Sequence, residues 1–166
     1  MVTQKLVKIG VVSDTHSLEI PKQLLNDLKK VDFIIHAGDF CDTADLEKFL
    51  KVNDVKAVYG NMDDMKIRKK FPRRQILKFG KLNIGLFHGE GAPKGILEVV
   101  KNEFRDDKVD AIVFGHSHQP FNETIGGILF FNPGSPNDSV LAPYYSYGIL
   151  EVSENEIVGK IIKLGS

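Results

Sequence analysis

The stretch that decides the fold reads Lys8-Ile9-Gly10-Val11-Val12-Ser13-Asp14-Thr15-His16. It continues residues 6–12, an apolar run with the length and β-branching of a buried strand, and it ends in a carboxylate and an imidazole two positions apart. The pattern recurs along the chain. Residues 33–35 lead into His36-Ala37-Gly38-Asp39, residues 55–59 into Gly60-Asn61-Met62-Asp63, residues 82–87 into His88-Gly89-Glu90, and residues 111–114 into Gly115-His116-Ser117-His118. In open α/β sheets ligands bind beyond the carboxyl ends of the strands. The five ends are therefore expected on one rim that carries Asp14, His16, Asp39, Asn61, His88, His116 and His118.

Helical patterns separate these runs. Residues 21–30 place Leu24, Leu25 and Leu28 on one face behind Pro21, residues 42–51 carry Leu46, Phe49 and Leu50, and residues 96–104 carry Ile96, Val99, Val100 and Phe104. Strand and helix alternating through short loops predicts an α/β fold. Other strands pair as hairpins: residues 74–79 and 82–87 flank Gly80-Lys81, and residues 147–152 and 157–162 flank Glu154-Asn155. Residues 128–131 form a further strand candidate. Two packed sheets with helices outside accommodate all of these pieces.

The chain has 166 residues, which predicts a single domain over 1–166. Its 22 Lys+Arg balance 22 Asp+Glu, so no bulk attraction to nucleic acid is expected. The single Cys41 excludes an internal disulfide framework and any cysteine-based zinc site. No targeting pattern and no run of membrane-spanning length is present in the sequence, which predicts a cytoplasmic protein.

The donors mix imidazole, carboxylate and amide without thiolate, a set suited to Mn²⁺, Fe²⁺ or Zn²⁺. Asp14 and His16, and likewise His116 and His118, are two apart, and in an extended segment such pairs point the same way. Gly38, Gly60, Gly89 and Gly115 remove side chains where the backbone must turn closely around an ion. Seven donors exceed the needs of one tetrahedral zinc and suffice for two ions sharing a carboxylate. Four of the seven are histidines, whose ordinary pKa of ~6.5 predicts that metal binding fades below about pH 6.

The series Asp14-Thr15-His16, Gly38-Asp39, Gly60-Asn61, His88 and Gly115-His116-Ser117-His118 resembles the calcineurin-like metallophosphoesterase superfamily. With the short length and Asn132-Pro133-Gly134-Ser135, the chain is similar to the small YfcE-type phosphodiesterases. The resemblance spans roughly residues 9–135. It implies an α/β four-layer αββα sandwich of two mixed β-sheets flanked by helices, with two divalent ions. These would be Mn²⁺ first, with Ni²⁺, Fe²⁺, Zn²⁺ or Mg²⁺ as alternatives. By the family pattern Asp14, His16, Asp39 and His118 hold one ion, and Asp39, Asn61, His88 and His116 hold the other. A water bridging the ions at Asp39, with Asn61 and His88 lining the site, would attack phosphorus in line. The expected substrate is a small phosphodiester or nucleotide-like molecule, and family habit implies a homodimer or homotetramer. Many members carry a histidine directly after the Gly-Asn asparagine to protonate the leaving group. Here Met62 stands in that place, and a thioether cannot transfer a proton. Two rival readings are a scaffold resembling the eukaryotic retromer subunit of the same fold, and a phosphomonoesterase.

Several residues admit plainer readings. His36 lies outside the family ligand pattern and is expected as a buried histidine behind the ligands. Asp63 is either a carboxylate that orients a ligand histidine or an acid at a helix start. Glu90 faces either the ions or solvent. Cys41 reads as a small buried residue. The basic run Lys66, Arg68, Lys69, Lys70, Arg73 and Arg74 reads as a solvated helix face or as a surface that steers phosphate. Residues 132–136 read as a turn, while Tyr144, Tyr145 and Tyr147 cover either the core or an oligomer contact.

Overall fold

In the computed structural model, which describes residues 6–165, strand alternation divides the apolar residues among three core layers. In β1 (Val7–Val12), Ile9 and Val11 face a second sheet while Val12 faces helices on the other side. β2 (Phe33–His36) does the same with Ile35 and Ile34. β3 (Val55–Ala57) follows in parallel, and β9 (Ser146–Val152) and β10 (Ile157–Lys163) complete a mixed sheet in the order β10-β9-β1-β2-β3. The second sheet has the order β4-β5-β6-β8-β7. It comprises β4 (Arg74–Phe79), β5 (Leu82–Phe87), β6 (Ala111–Val113), β7 (Phe121–Ile125) and β8 (Ile128–Asn132). Outside the first sheet lie α1 (Lys22–Leu28), α2 (Thr43–Leu50) and α3 (Met65–Lys70), and outside the second lies α4 (Ile96–Glu103). The result is the expected four-layer sandwich of two mixed sheets, with both expected hairpins formed.

Local chemistry sets the helix starts. The Asp42 carboxylate accepts the Asp45 amide at 3.0 Å, and the Asp64 carboxylate accepts the Ile67 amide at 3.0 Å. The basic run is a real helix in part, because α3 needs only one buried residue, Ile67, to dock. The strand expected over 55–59 ends at Ala57. Beyond it Val58 and Tyr59 still bond outward, to His36 and Pro72 carbonyls, but no longer in a ladder. β7 carried no alternation, since four of its five residues are exposed at a sheet edge. Across that edge Asn122 Nδ2 donates to the Gly159 carbonyl of β10 at 2.8 Å and ties the two sheets together.

Phe131 of β8 is fully buried between the sheets and fills the space left by Gly148 and Gly159. Phe131→Ala is expected to cost ~3–5 kcal/mol by cavity formation. At ~2–4 °C per kcal/mol for a chain of this size, the thermal midpoint should fall by ~6–20 °C. Thermal denaturation followed by circular dichroism measures it.

Candidate metal centre

The five strand ends do meet on one rim. Backbone bonds lash adjacent loops together: Asp14 N–H donates to Gly38 O, His16 N–H to Asp39 O, and Gly115 N–H to His88 O, each at 3.0 Å. Bonds also cross between the sheets at the rim, among them His116 N–H to Asp14 Oδ2 at 3.0 Å. Close packing leaves no room for side chains at the glycines, since a Cβ on Gly60 would overlap Asp39 Oδ1 and one on Gly115 would overlap Ser13 Oγ. The loops are also conformationally special. Asp14, His16, Asp39, His116 and His118 all have φ between 48° and 70°, a left-handed region that clusters at functional sites when non-glycine residues occupy it.

The donor atoms converge. His16 Nε2 and His118 Nε2 are 3.2 Å apart, and Asp14 Oδ1 lies 3.7 Å from the first and 3.4 Å from the second. His88 Nε2 lies 3.1 Å from Asp39 Oδ2 and 3.7 Å from Asp14 Oδ1, while His16 Nε2 is 3.6 Å from Asp39 Oδ2. Two groupings able to hold an ion result, Asp14–His16–His118 and Asp14–Asp39–His88. Backbone and carboxylate partners fix the imidazole tautomers. His88 Nδ1–H donates to the Ala37 carbonyl at 2.7 Å, and His118 Nδ1–H donates to Asp138, so both turn Nε2 inward. Cys41 Sγ stands 3.6 Å from His16 Nδ1. Asp14 Oδ1 and His88 Nε2 are buried without a hydrogen-bond partner of good geometry, so the carboxylate oxygen, and the imidazole nitrogen once deprotonated, each offer a lone pair that a cation would satisfy. The residues present therefore fit divalent metal.

The electrostatics agree. Burial works against the charged form of Asp14, but His88, His118 and His16 beside it hold its carboxyl far below the usual range. Burial likewise opposes Asp39, and His88 keeps it low. Burial pulls His88 down, yet Asp14 and Asp39 outweigh it and raise the imidazole to about 9. His118 is raised to about 9 against its own burial by Asp14 and Asp138. Without metal this site holds protons where ions would sit. The expected loss of metal binding thus begins well above pH 6, because the ordinary imidazole pKa does not apply at these two positions.

His116 and Asn61 stand at the border of the cluster. His116 Nε2–H donates to the Gly91 carbonyl at 2.6 Å, which leaves Nδ1 as its available donor atom, and its ring meets that of His88 edge-on at 5.3 Å. Asn61 is exposed, and its backbone carbonyl accepts from Arg68 Nη2 at 3.0 Å.

The surrounding residues resolve as follows. His36 is fully buried and stacked on Phe40 at 3.5 Å; it accepts from Gly38 N–H and bonds Thr15 Oγ1, which in turn donates to Asp45. Burial pulls His36 down to about 3, so it is a neutral member of the core beneath the rim. Asp63 orients no histidine. Its carboxylate accepts the amides of Asp39, Cys41 and Gly60 at 2.7–2.9 Å and so pins two of the loops. Cys41 is half-buried rather than buried as expected, and burial and neighbouring carboxylates push its thiol up to about 12, in keeping with an unreactive cysteine. Asn132 donates to Gly115 O and Ser135 Oγ to Asp14 O, so the turn over 132–136 buttresses loops from both sheets. Tyr147 is a core residue whose hydroxyl donates to Asp27 at 2.8 Å. The carboxylate behind His118 is Asp138, which sequence reasoning missed. It sits in an irregular segment 20 residues downstream, and no motif spacing marks it.

Comparison with known proteins places this geometry in context. Residues 7–155 match the model of the calcineurin-like phosphoesterase superfamily domain. A probable metallophosphoesterase of Methanocaldococcus jannaschii is 38% identical over 133 residues, covering 77% of this chain and 67% of that protein. A phosphodiesterase of the same organism is 26% identical over 167 residues, covering 90% and 96%. Among solved structures, vacuolar protein sorting 29 of Cryptosporidium parvum superposes with a TM-score of 0.79 at 23% identity, covering 96% of this chain and 92% of that one, a likeness of fold. Among the described residues no helix is long and apolar enough to cross a membrane.

Proposed function

The chain belongs to the calcineurin-like phosphoesterase superfamily, and from that membership we propose that it is a phosphodiesterase using two divalent ions, Mn²⁺ first, to hydrolyse a small phosphodiester or nucleotide-like substrate. The observation that carries this reading is the pair of orphaned buried donors, Asp14 Oδ1 and His88 Nε2, facing each other at 3.7 Å within one cluster. Asp14, His16, Asp39 and His118 would hold one ion, and Asp39, Asn61, His88 and His116 the other. When bound, the ions supply an acidified water as nucleophile and neutralise charge on the phosphoryl oxygens. The protein's own part is positional. Asp39 Oδ1 is anchored by the Met62 amide at 2.8 Å, which leaves Oδ2 directed into the cluster between His16 and His88. Ala37 O and Asp138 keep His88 and His118 turned inward, and Asn61 adds a neutral donor that leaves the site attractive to an anion.

Met62 is 56% exposed at the rim, in line with a site that supplies no proton from this position. Good leaving groups need none, whereas alkoxides do. Aryl diesters are thus expected to be cleaved faster than alkyl monoesters. Met62→His should narrow the gap by ~10-fold or more, since general acid catalysis contributes ~10²–10⁴-fold when well placed. The backbone amide that holds Asp39 is unchanged by the substitution.

A matrix of Mn²⁺, Ni²⁺, Zn²⁺ and Mg²⁺ against aryl diesters, alkyl diesters and monoesters tests the proposal, with chelator as the blank. Diester turnover that requires metal supports it. Metal binding without hydrolysis of any ester would favour the scaffold reading. Faster turnover of alkyl monoesters than aryl diesters would favour a phosphomonoesterase.

A further inference from the structure

The basic run 66–74 does not act as a uniform face. Arg74 is engaged by Asp107 at 2.7 Å and Glu103 at 3.4 Å, away from the rim. Two others turn toward a cavity of about 210 Å³ that shares His88 and Asn61 with the metal centre, and Arg68, Arg73, Tyr59, Phe87 and Glu90 also line it. Both guanidinium groups lie over aromatic rings. Arg68 Cζ stands 4.9 Å from the Tyr59 centroid, and Arg73 Cζ stands 4.5 Å from the Phe87 centroid. Arg68 is further fixed by donating Nε–H to Asp63 O at 2.9 Å and Nη2 to Asn61 O at 3.0 Å. Among the described residues it has no carboxylate within ion-pair distance, so its charge is not neutralised locally. Arg73 is gripped from behind by Glu103 at 2.8 Å. On the cavity side the one carboxylate it meets among the described residues is Glu90 Oε1, at 3.6 Å, on a side chain that is 65% exposed.

We propose that this cavity is a subsite for a second phosphate group of the substrate, bound by Arg68 and Arg73 beside the scissile diester, with Glu90 as the counter-ion it displaces. The inference rests on the phosphodiesterase reading and narrows its substrate class to diesters that carry an additional terminal phosphate. Arg68 presents its remaining N–H donors and Arg73, whose two Nη atoms bond Glu103, presents its charge to the oxygens of such a group, and contact with the rings limits the side-chain freedom that binding would otherwise have to freeze. Glu90 can swing into water, whereas Glu103 stays in place behind Arg73.

The test compares the p-nitrophenyl ester of thymidine 5′-phosphate with the same ester bearing a 3′-phosphate, both with Mn²⁺. The expected result is a kcat/KM at least ~10-fold higher for the 3′-phosphorylated ester, mainly through KM. Arg73→Met keeps the stem over Phe87 and should reduce that ratio by ~10-fold. Glu90→Gln, at an exposed loop position, should raise it. Lys70→Met, outside the cavity, should leave the ratio in place. Equal ratios in the parent protein, Arg73→Met and Glu90→Gln would overturn the subsite. An equal fall in Lys70→Met and Arg73→Met would replace it with general steering by surface charge. Failure to cleave either ester would count against the phosphodiesterase reading itself.

Discussion

Asp39→Asn is expected to lower metal-dependent diester turnover by ~10³-fold, equivalent to ~4 kcal/mol of transition-state stabilisation. Asparagine isolates the charge. It keeps the volume, retains an oxygen to accept the Met62 amide, and is among the few residues that tolerate the left-handed backbone found at this position, φ 63°. An alanine would instead strain the loop and confound the result. What asparagine removes is the negative charge of the side chain that faces both His16 and His88 and is proposed to touch both ions. The folded fraction should be verified by circular dichroism alongside steady-state kinetics at saturating Mn²⁺. Turnover within a few-fold of the parent protein would exclude a bridging role for Asp39.

The stabilisation given by Mn²⁺ should grow with pH between about 6.5 and 9. His88 and His118 are both raised to about 9 in the metal-free fold, above the ~6.5 of an unfolded chain. Their protonated forms therefore stabilise the metal-free protein fully below ~6.5, and that contribution is lost as pH rises toward 9. Each ion would need its own raised imidazole deprotonated, His118 for one and His88 for the other, so each displaced proton weakens apparent affinity up to tenfold per pH unit below 9. With two protons the metal-dependent stabilisation should rise by ~2–3 kcal/mol per pH unit, or several degrees of thermal midpoint. His36, pulled down to about 3, takes no part in this window, and His36→Ala should keep the pH-dependent increment even if it lowers the baseline. Differential scanning fluorimetry at fixed Mn²⁺ from pH 6 to 8.5 measures it. A flat increment across that range would contradict the proton-for-metal exchange.

The site was largely legible because its residues sit where apolar strands stop. A switch from β-branched residues to His, Asp and Gly is a local signal, and the parallel ladder β1-β2-β3 turns such local endings into one rim. Asp63 was legible as a carboxylate near the site but not in its role, since only the fold shows that it reaches the Asp39 and Cys41 amides on the loop after β2. Asp138 was not legible at all, because its link to His118 is made through an irregular segment whose placement depends on Ser135 and on the sandwich beneath it. β7 escaped notice for a different reason. An exposed edge strand has no buried face to impose alternation, and it is ordered mainly by its ladder to β8.

Asp14 and Asp39 hang from one sheet, and His88, His116 and His118 from the other. The thickness of the apolar filling between the sheets is thus the gauge that sets how far apart the two halves of the donor set stand. Leu86 and Val113, completely buried in that filling one strand turn below His88 and His116, act as spacers for chemistry they never touch. A close-packed interior transmits such spacing without slack. Changes of a single methylene in the central layer thereby become adjustments to the bore of the site, and the same sheet pair that gives the chain its shape calibrates its reactivity.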